Sequence, residues 1–357
     1  MARERWAERA VPMMGTVVTI KAFGRSPEVA IDAAFRRMAE VASLFNLYDP
    51  RSDVSRINSH AGRGWVEVSE HVARVVRRAL RFSRLSRGAF DVTAAPLILL
   101  WKRAIKHTKI PPSMREIKAA RRLVGYRWLE VHPKRPLIRL RRPGMKVDLG
   151  GGAKGYVADV GVEELRRRGI RHALINAGGD VVALDAKPGG RAWVVGVEHP
   201  RKEGKLLGVV RVRGGAVATS GDYRQFFIWR GRRFCHIVDP RTGYPASKCM
   251  SVTVLAPSGL DADILSTTIF VLGPREGLAL ARRLKGVEAL IVSSEGRVYL
   301  TPGMKRVSEL FVKGGRICGI ISSMGRGGPS CHSSPLVSSL PCGVALSCRA
   351  RRLYFES

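Results

Sequence analysis

The sequence predicts an α+β fold. Strand-like and helix-like stretches alternate irregularly rather than as a βαβ repeat, two pairs of short apolar runs read as hairpins, and no internal repeat is present. The chain has 357 residues, with 45% hydrophobic and 25% charged content. It is long enough to bury a sizeable core as one large domain or two intimate subdomains.

Residues 16–23 (TVVTIKAF) read as the first strand. Residues 27–45 form an amphipathic helix: Ile31, Phe35, Met38, Val41 and Phe45 recur at three- and four-residue spacing, and Pro27 suits the first turn. A turn over residues 46–50 follows, and residues 72–85 give a second helix closed by Gly88. Ser113-Met114-Arg115-Glu116 is a capping box opening a short helix, and residues 128–131 and 137–140 pair as a hairpin. Further strands are expected at 173–176, 181–184, 192–198 and 207–213, with residues 216–222 (AVATSGD) a small-residue turn between strands. Residues 226–230 and 234–238 make a hairpin around Arg230-Gly231-Arg232, and residues 239–243 are a tight turn. A strand at 251–255, helices at 260–272 and 274–284, and strands at 289–292 and 297–300 complete the sheet. These elements place a domain at 12–313, with 1–11 an N-terminal extension. Ser, Gly, Cys and Pro dominate 314–357, a tail expected to be disordered or non-native.

The net charge of +33 predicts attraction to polyanions: nucleic acid, an anionic lipid surface or a phosphate-rich ligand. Lys and Arg are scattered rather than gathered into one arm, and no zinc-finger or RNP pattern appears, which argues against specific nucleic-acid binding. Peripheral attraction to a membrane surface stays open. No apolar run is long enough to span a bilayer, and residues 1–10 contain no signal-peptide core, so the chain as written is expected in the cytoplasm. The six cysteines include no CxxC, and the two in the body, Cys235 and Cys249, make neither a zinc site nor a disulfide framework.

The chemistry centres on residues 147–159 (VDLGGGAKGYVAD). An apolar segment ends on Asp148; glycines and Lys154 follow, and then a helical pattern begins. Glycines at a strand-to-helix junction let backbone N–H groups approach an anion at a helix N-terminus, although the same pattern serves a plain packing turn. The stretch matches neither GxxxxGK[ST] nor GxGxxG. Asp263 and Thr267 stand four apart on a helix, so their oxygens share a face and suit a hard cation such as Mg²⁺. His236, at a strand end, is placed for a general base. Thr219, Ser220, Arg241 and Thr242 offer donors to phosphate oxygens, and Tyr48 and Phe90 lie on loops where an aromatic can stack on a flat ring. Each feature alone has an ordinary structural explanation.

Together they carry a resemblance. Met14-Gly15-Thr16, the Tyr48 turn with Ser55 to Asn58, and Gly88 to Thr93 with Pro96, Leu97 and Trp101 come first. Asp148 to Asp159, Asn176 to Asp180, Thr219 to Tyr223, His236 to Gly243, and Asp263 with Thr267 follow. Their order and spacing across residues 12–302 resemble the ApbE family, the FAD:protein FMN transferases. The resemblance implies two intimately packed subdomains, with mixed or antiparallel sheets and flanking helices, and FAD between them. It implies Mg²⁺-dependent transfer of FMN from FAD to a Thr or Ser hydroxyl of a target flavoprotein, with release of AMP; some relatives instead hydrolyse FAD to FMN and AMP. A flavin-binding protein without turnover is a further alternative. By the same resemblance, Met14, Tyr48, Ala89, Phe90, Asp91, Asp148, Lys154 and Ile237 contact FAD, Gly151 (through its carbonyl), Asp263 and Thr267 ligate the metal, and His236 is the base.

Overall fold

The computed structural model describes residues 5–312, 315 and 317. The chain opens with an antiparallel hairpin, β1 (Arg5–Met13) and β2 (Thr16–Gly24), turned through Met14 and Gly15, both at positive φ. Residues 5–11 are therefore part of the sheet and not an extension before it. α1 (Pro27–Ser43) buries Ile31, Ala34, Met38 and Val41 along one stripe, as its spacing requires. α2 (Asp53–Ser59), β3 (Val66–Glu67) and α3 (Glu70–Leu85) follow; the Ser69 hydroxyl accepts the Val72 N–H and starts α3. α4 (Ala95–Arg103) runs on as a π-helical turn, and α5 (Met114–Arg121) begins at the capping box of Ser113 and Glu116. β4 (Leu129–Val131) and β5 (Leu137–Leu140) precede α6 (Ala153–Arg167).

Strands then dominate: β6 (His172–Ala177), β7 (Asp180–Leu184), β8 (Trp193–Glu198), β9 (Leu206–Val212) and β10 (Gly215–Gly221). The short hairpins β11 (Phe226–Trp229) with β12 (Arg232–Cys235) and β13 (Val238–Asp239) with β14 (Tyr244–Pro245) lead to β15 (Cys249–Ala256). The described chain closes with α7 (Gly259–Leu272), α8 (Pro274–Arg282), β16 (Glu288–Ser293), β17 (Val298–Leu300), α9 (Pro302–Val307) and β18 (Ser308–Leu310). The tail calculated from composition at 314–357 lies almost wholly outside the described residues.

The main sheet has eight strands in the order β1-β2-β6-β7-β10-β15-β16-β17, each pair antiparallel. Its two faces are both covered. Ala216 and Ala218 of β10 turn to the core shared with α1, α6 and α7, while Val217 between them joins a second core. That second core lies under a small sheet, β18-β9-β8, and α9. A third cluster around Trp101 joins α4, α5 and the β11–β12 hairpin; the Trp101 indole N–H donates to the Gly243 carbonyl at 2.8 Å.

The small-residue stretch 216–222 is the clearest departure from the sequence reading. It is not a turn but β10, an interior strand of the main sheet. Its alanines leave room for α7, and its polar residues bond inward: Ser220 Oγ to Ser266 Oγ at 2.8 Å and Thr219 Oγ1 to Thr253 Oγ1 at 2.8 Å. Composition alone resembles a turn because helix packing has removed the bulky β-formers.

α7 is buried almost all round, and it crosses α6 with backbone against backbone. A Cβ on Gly155 would lie 2.0 Å from the Gly259 carbonyl oxygen, and one on Gly259 2.3 Å from the Gly155 carbonyl oxygen. The helices exchange hydrogen bonds at this point. Asp159 of α6 accepts the Gly259 and Leu260 N–H groups at 2.6 and 2.9 Å, and Asp263 of α7 accepts the Gly155 N–H at 3.2 Å.

Two outcomes follow for stability. Gly155→Ala, which drives a methyl into a backbone carbonyl, is expected to cost about 3 kcal/mol or more in denaturant unfolding. Asp159→Ala leaves two N–H groups of α7 without an acceptor and is expected to cost about 2 kcal/mol or more, with Asp159→Asn milder. An unchanged unfolding midpoint in either Ala variant would mean that the crossing is looser than described.

Candidate active site

The crossing positions a cleft of about 500 Å³ where the helix layer and the ends of the main sheet meet the Trp101 lobe. On one wall the residues come from α6 and α7. Gly152 precedes α6, so Lys154 stands in its first turn, and Asp263 and Thr267 stand one turn apart on α7. A Cβ on Gly151 would lie 3.9 Å from Thr267 Oγ1 and 3.2 Å from the Phe90 ring, which brings this backbone against both. The opposite wall comes from α4 and the hairpins, through Lys102, His236, Ile237 and Pro240.

Lys154 is the electrostatic pivot. Its Nζ donates to Asp180 and lies 3.5 Å from Asp263 Oδ2. Burial alone would lower its pKa, but the two carboxylates more than reverse this and hold it above the usual lysine value. Asp263 is only 4% exposed. Burial first, and then the like charge of Asp180, push it well above the usual carboxylate range against the pull of Lys154 and the Gly155 N–H. Its Oδ2 is occupied by those two donors, and Thr267 Oγ1 lies 3.1 Å from Ser220 Oγ.

His236 presents its ring to the cleft with Nδ1 3.3 Å from the Gln225 carbonyl. A carbonyl can only accept, so that contact makes Nδ1 the protonated nitrogen and leaves Nε2 as the basic one. Desolvation, with Lys102, Lys154 and Arg224 nearby, lowers its pKa to about 4. The neighbouring Cys235 is a buried thiol pushed up to about 12 by desolvation, which leaves it neutral and inert at neutral pH.

The cleft brings together most of the residues singled out from sequence: Ala89, Phe90, Asp91, Asp148, Gly151, Lys154, His236, Ile237, Asp263 and Thr267. Two of the FAD contacts implied by the resemblance do not line it. Tyr48 is 74% exposed on the turn after α1, where its N–H bonds to Asn46 Oδ1. Met14 sits at the tip of the β1–β2 hairpin and packs partly on the main core, so it is Gly15 and Thr16 that reach the cleft. Asp91 lines the cleft, but its carboxylate is engaged in the loop: it accepts from the Thr93 N–H and hydroxyl and from the Tyr126 N–H at 2.7–2.8 Å. Arg241, read from sequence as a donor to phosphate oxygens, is instead held bidentate by Asp239 at 2.8–2.9 Å and does not line the cleft. The Thr242 hydroxyl serves the same turn.

Three charged residues of the cleft carried no role in the sequence reading: Lys102, 3.7 Å from Asp148, and also Arg224 and Asp180. Asp180 closes a glycine motif, which was a usable signal. Lys102 and Arg224 are two among 62 Lys and Arg residues, and nothing local separates them from the rest. Among the described residues no group of three or more His, Cys, Asp or Glu is arranged to hold a metal. A cation here would depend on one carboxylate, Asp263, with neutral oxygens beside it. Such a hard, sparse donor set fits Mg²⁺, which fills its shell from phosphate and water, and does not fit Zn²⁺ or copper.

Comparison with known proteins places the chain in a family. The family model described as the ApbE family matches residues 14–291. The FAD:protein FMN transferase of Klebsiella pneumoniae (strain 342) is 32% identical over 313 residues, covering 87% of this chain and 96% of its own. That of Treponema pallidum (strain Nichols) is 32% identical over 324 residues, covering 85% and 89%. Among solved structures, the ApbE protein of Thermotoga maritima superposes with a TM-score of 0.78 at 33% identity, over 85% of this chain and 99% of that one. The flavin transferase ApbE of Vibrio cholerae superposes with a TM-score of 0.76 at 29% identity, over the same shares. With a family match over most of its length, relatives aligned nearly end to end and the same α+β architecture, this chain belongs to the ApbE family.

Proposed function

We propose that this chain is an FAD:protein FMN transferase. It moves the FMN half of FAD onto a Thr or Ser hydroxyl of a target flavoprotein and releases AMP. The observation that supports this reading most directly is the meeting of His236, Lys154, Asp263 and Thr267 on facing walls of one cleft, in a chain whose relatives carry that name.

In this reading the acceptor hydroxyl attacks the phosphorus that bears riboflavin. A new P–O bond forms, the bridging P–O bond to AMP breaks, and the acceptor proton passes to His236 Nε2. The Nδ1 contact with Gln225 holds the ring in the tautomer this requires. The imidazole is neutral at pH 7 because its pKa is depressed. A bound pyrophosphate would offset the cations that depress it and raise the basicity of Nε2 when substrate is present. Lys154, kept charged by two carboxylates, would face the phosphates as a fixed cation. Phe90 would offer its ring to the flavin, and Asp148, steadied by the Gly150 N–H at 2.8 Å, an acceptor. Mg²⁺ held by Asp263, Thr267 and the Gly151 carbonyl would neutralise charge developing on the pyrophosphate. Such a reaction needs alignment and charge neutralisation more than covalent help.

Incubation with FAD and Mg²⁺, with and without an acceptor peptide containing Thr, followed by chromatography of AMP and flavin, tests the reading. AMP with flavin on the peptide is the expected result. AMP with free FMN despite the peptide would make the protein an FAD hydrolase, and intact FAD would make it a binding protein. Asp263→Ala is expected to abolish the Mg²⁺-dependent turnover with the fold retained, at a stability cost of about 1–3 kcal/mol for the Gly155 N–H it leaves without an acceptor. His236→Ala is expected to slow transfer by roughly 10²–10⁴.

A pH outcome follows for the FAD-free protein. The native state holds fewer protons on His236 than the unfolded chain between about pH 4 and the ordinary histidine value, so this group's contribution to stability falls as pH drops through that window. The His236 ring resonances should stay constant from pH 8 to 5 and titrate near 4. Titration near the ordinary histidine value would show that the cleft is wetter and less cationic than described.

A further inference from the structure

A second concavity, a groove of about 550 Å³, is lined by none of the residues that line the cleft, and the proposed chemistry does not use it. It runs between α3 and the short sheet β3-β5-β4, of which β4 is an open edge. Its floor is apolar, with Leu80 of α3 against Leu129 and Val131 of β4. Arg77 and Arg84 stand on the same helix face as Leu80, three and four residues to either side, and Arg127 stands at the groove's end. Arg77 is paired with Glu70 at 2.6 Å. Arg84 and Arg127 have no carboxylate within ion-pair distance among the described residues. The one acid in the groove, Glu130, is already neutralised by Arg139 and Arg141. The groove therefore presents two available guanidinium groups over an apolar floor.

The edge strand adds direction. In the β4–β5 ladder the Arg141 N–H goes to the Trp128 carbonyl and the His132 N–H to the Leu137 carbonyl. Residues 128, 130 and 132 thus turn their backbone groups toward β5, while Leu129 and Val131 turn theirs to the open side. The Leu129 N–H is taken by the Tyr126 carbonyl. The Val131 N–H and the carbonyls of Leu129 and Val131 have no backbone partner among the described residues. An edge beside an apolar floor is the arrangement to which extended peptides add as a strand, with side-chain pockets supplying the selection.

The groove is tied to the active-site cleft by hydrogen bonds. The Tyr126 N–H donates to Asp91 Oδ2 and the Gly125 N–H to Thr93 Oγ1, both at 2.8 Å, so the turn that lines the groove is tied to the loop that lines the cleft.

We propose that this groove is a docking site for an extended acidic segment of the acceptor protein, bound along β4 with its carboxylates on Arg84 and Arg127. The occupant's identity rests on the transferase reading above; the groove's preference for an extended acidic peptide does not. Such a site would hold the acceptor at a second point beside the reacting hydroxyl, where linkage raises the effective concentration of the hydroxyl.

The probe is a fluorescein-labelled seven-residue peptide alternating Glu and Val, followed by anisotropy on the full chain at about 0.15 M salt. The expected result is saturable binding, unaffected by FAD and weakened roughly tenfold or more by Arg84→Glu with Arg127→Glu, both exposed and outside the cleft. Val131→Pro, which removes the free edge N–H, is expected to weaken it as well. In the transfer assay the double arginine variant should raise KM for a folded acceptor protein and leave kcat unchanged. Several results would overturn the proposal: no binding, undiminished binding by the double variant, equal binding of a seven-glutamate peptide, displacement by FAD, or displacement by a single-stranded oligonucleotide acting through the same arginines. A protein that binds the peptide through Arg84 and Arg127 but never releases AMP from FAD would keep the groove and remove only the transferase reading.

Discussion

The contact between Gly155 and Gly259 constrains everything around the cleft. Two helix backbones meet there without side chains between them, and each helix supplies a carboxylate to the other's backbone: Asp159 to α7, Asp263 to α6. Because the same Asp263 faces the cleft, the packing bond and the candidate metal ligand are one group. Lys154 precedes one glycine and Asp263 lies a turn beyond the other, so the spacing of charges in the cleft is set by how closely the backbones approach. A longer side chain at either glycine would separate the charges as well as the helices.

That geometry also explains the charge states. Burying three ionisable groups together is costly unless their charges compensate. Here Lys154 lies between Asp180 and Asp263, two acids and one base; burial first, and then the like charge of Asp180, keep Asp263 high. Across the cleft, Lys102 and Arg224 help keep His236 neutral. One wall is thus suited to a cation and the other to an anion.

Much of this arrangement could be read from the sequence. Helices with a clear period or cap, such as α1 and α5, lie within two residues of where their patterns put them, because apolar spacing and capping are local. The residues of the cleft were accessible through motifs whose glycines and acids keep fixed spacing. What could not be read depends on contacts between distant segments. β10 has a turn-like composition because α7 lies on it. Arg241 is an available cation in sequence and a paired one in space, because Asp239 folds back on it. The strand character of residues 5–11 comes from β2 and not from their own alternation of charged and small residues. Lys102 and Arg224 are distinguished only by where α4 and the segment after β10 end up.

The two walls of the cleft differ in their freedom to change over evolutionary time. The α6–α7 wall is built from backbone contact and a helix with almost no exposed surface, so nearly any substitution there is felt as a packing defect before it is felt as chemistry. The opposite wall rests on short hairpins, with exposed positions such as Ile228 and Arg232 around its own small core. Substitutions can therefore accumulate at these exposed hairpin positions, around His236, while the α6–α7 wall stays fixed. A chain built this way can vary the rim of its cleft without disturbing the helices that hold Lys154 and Asp263 in place.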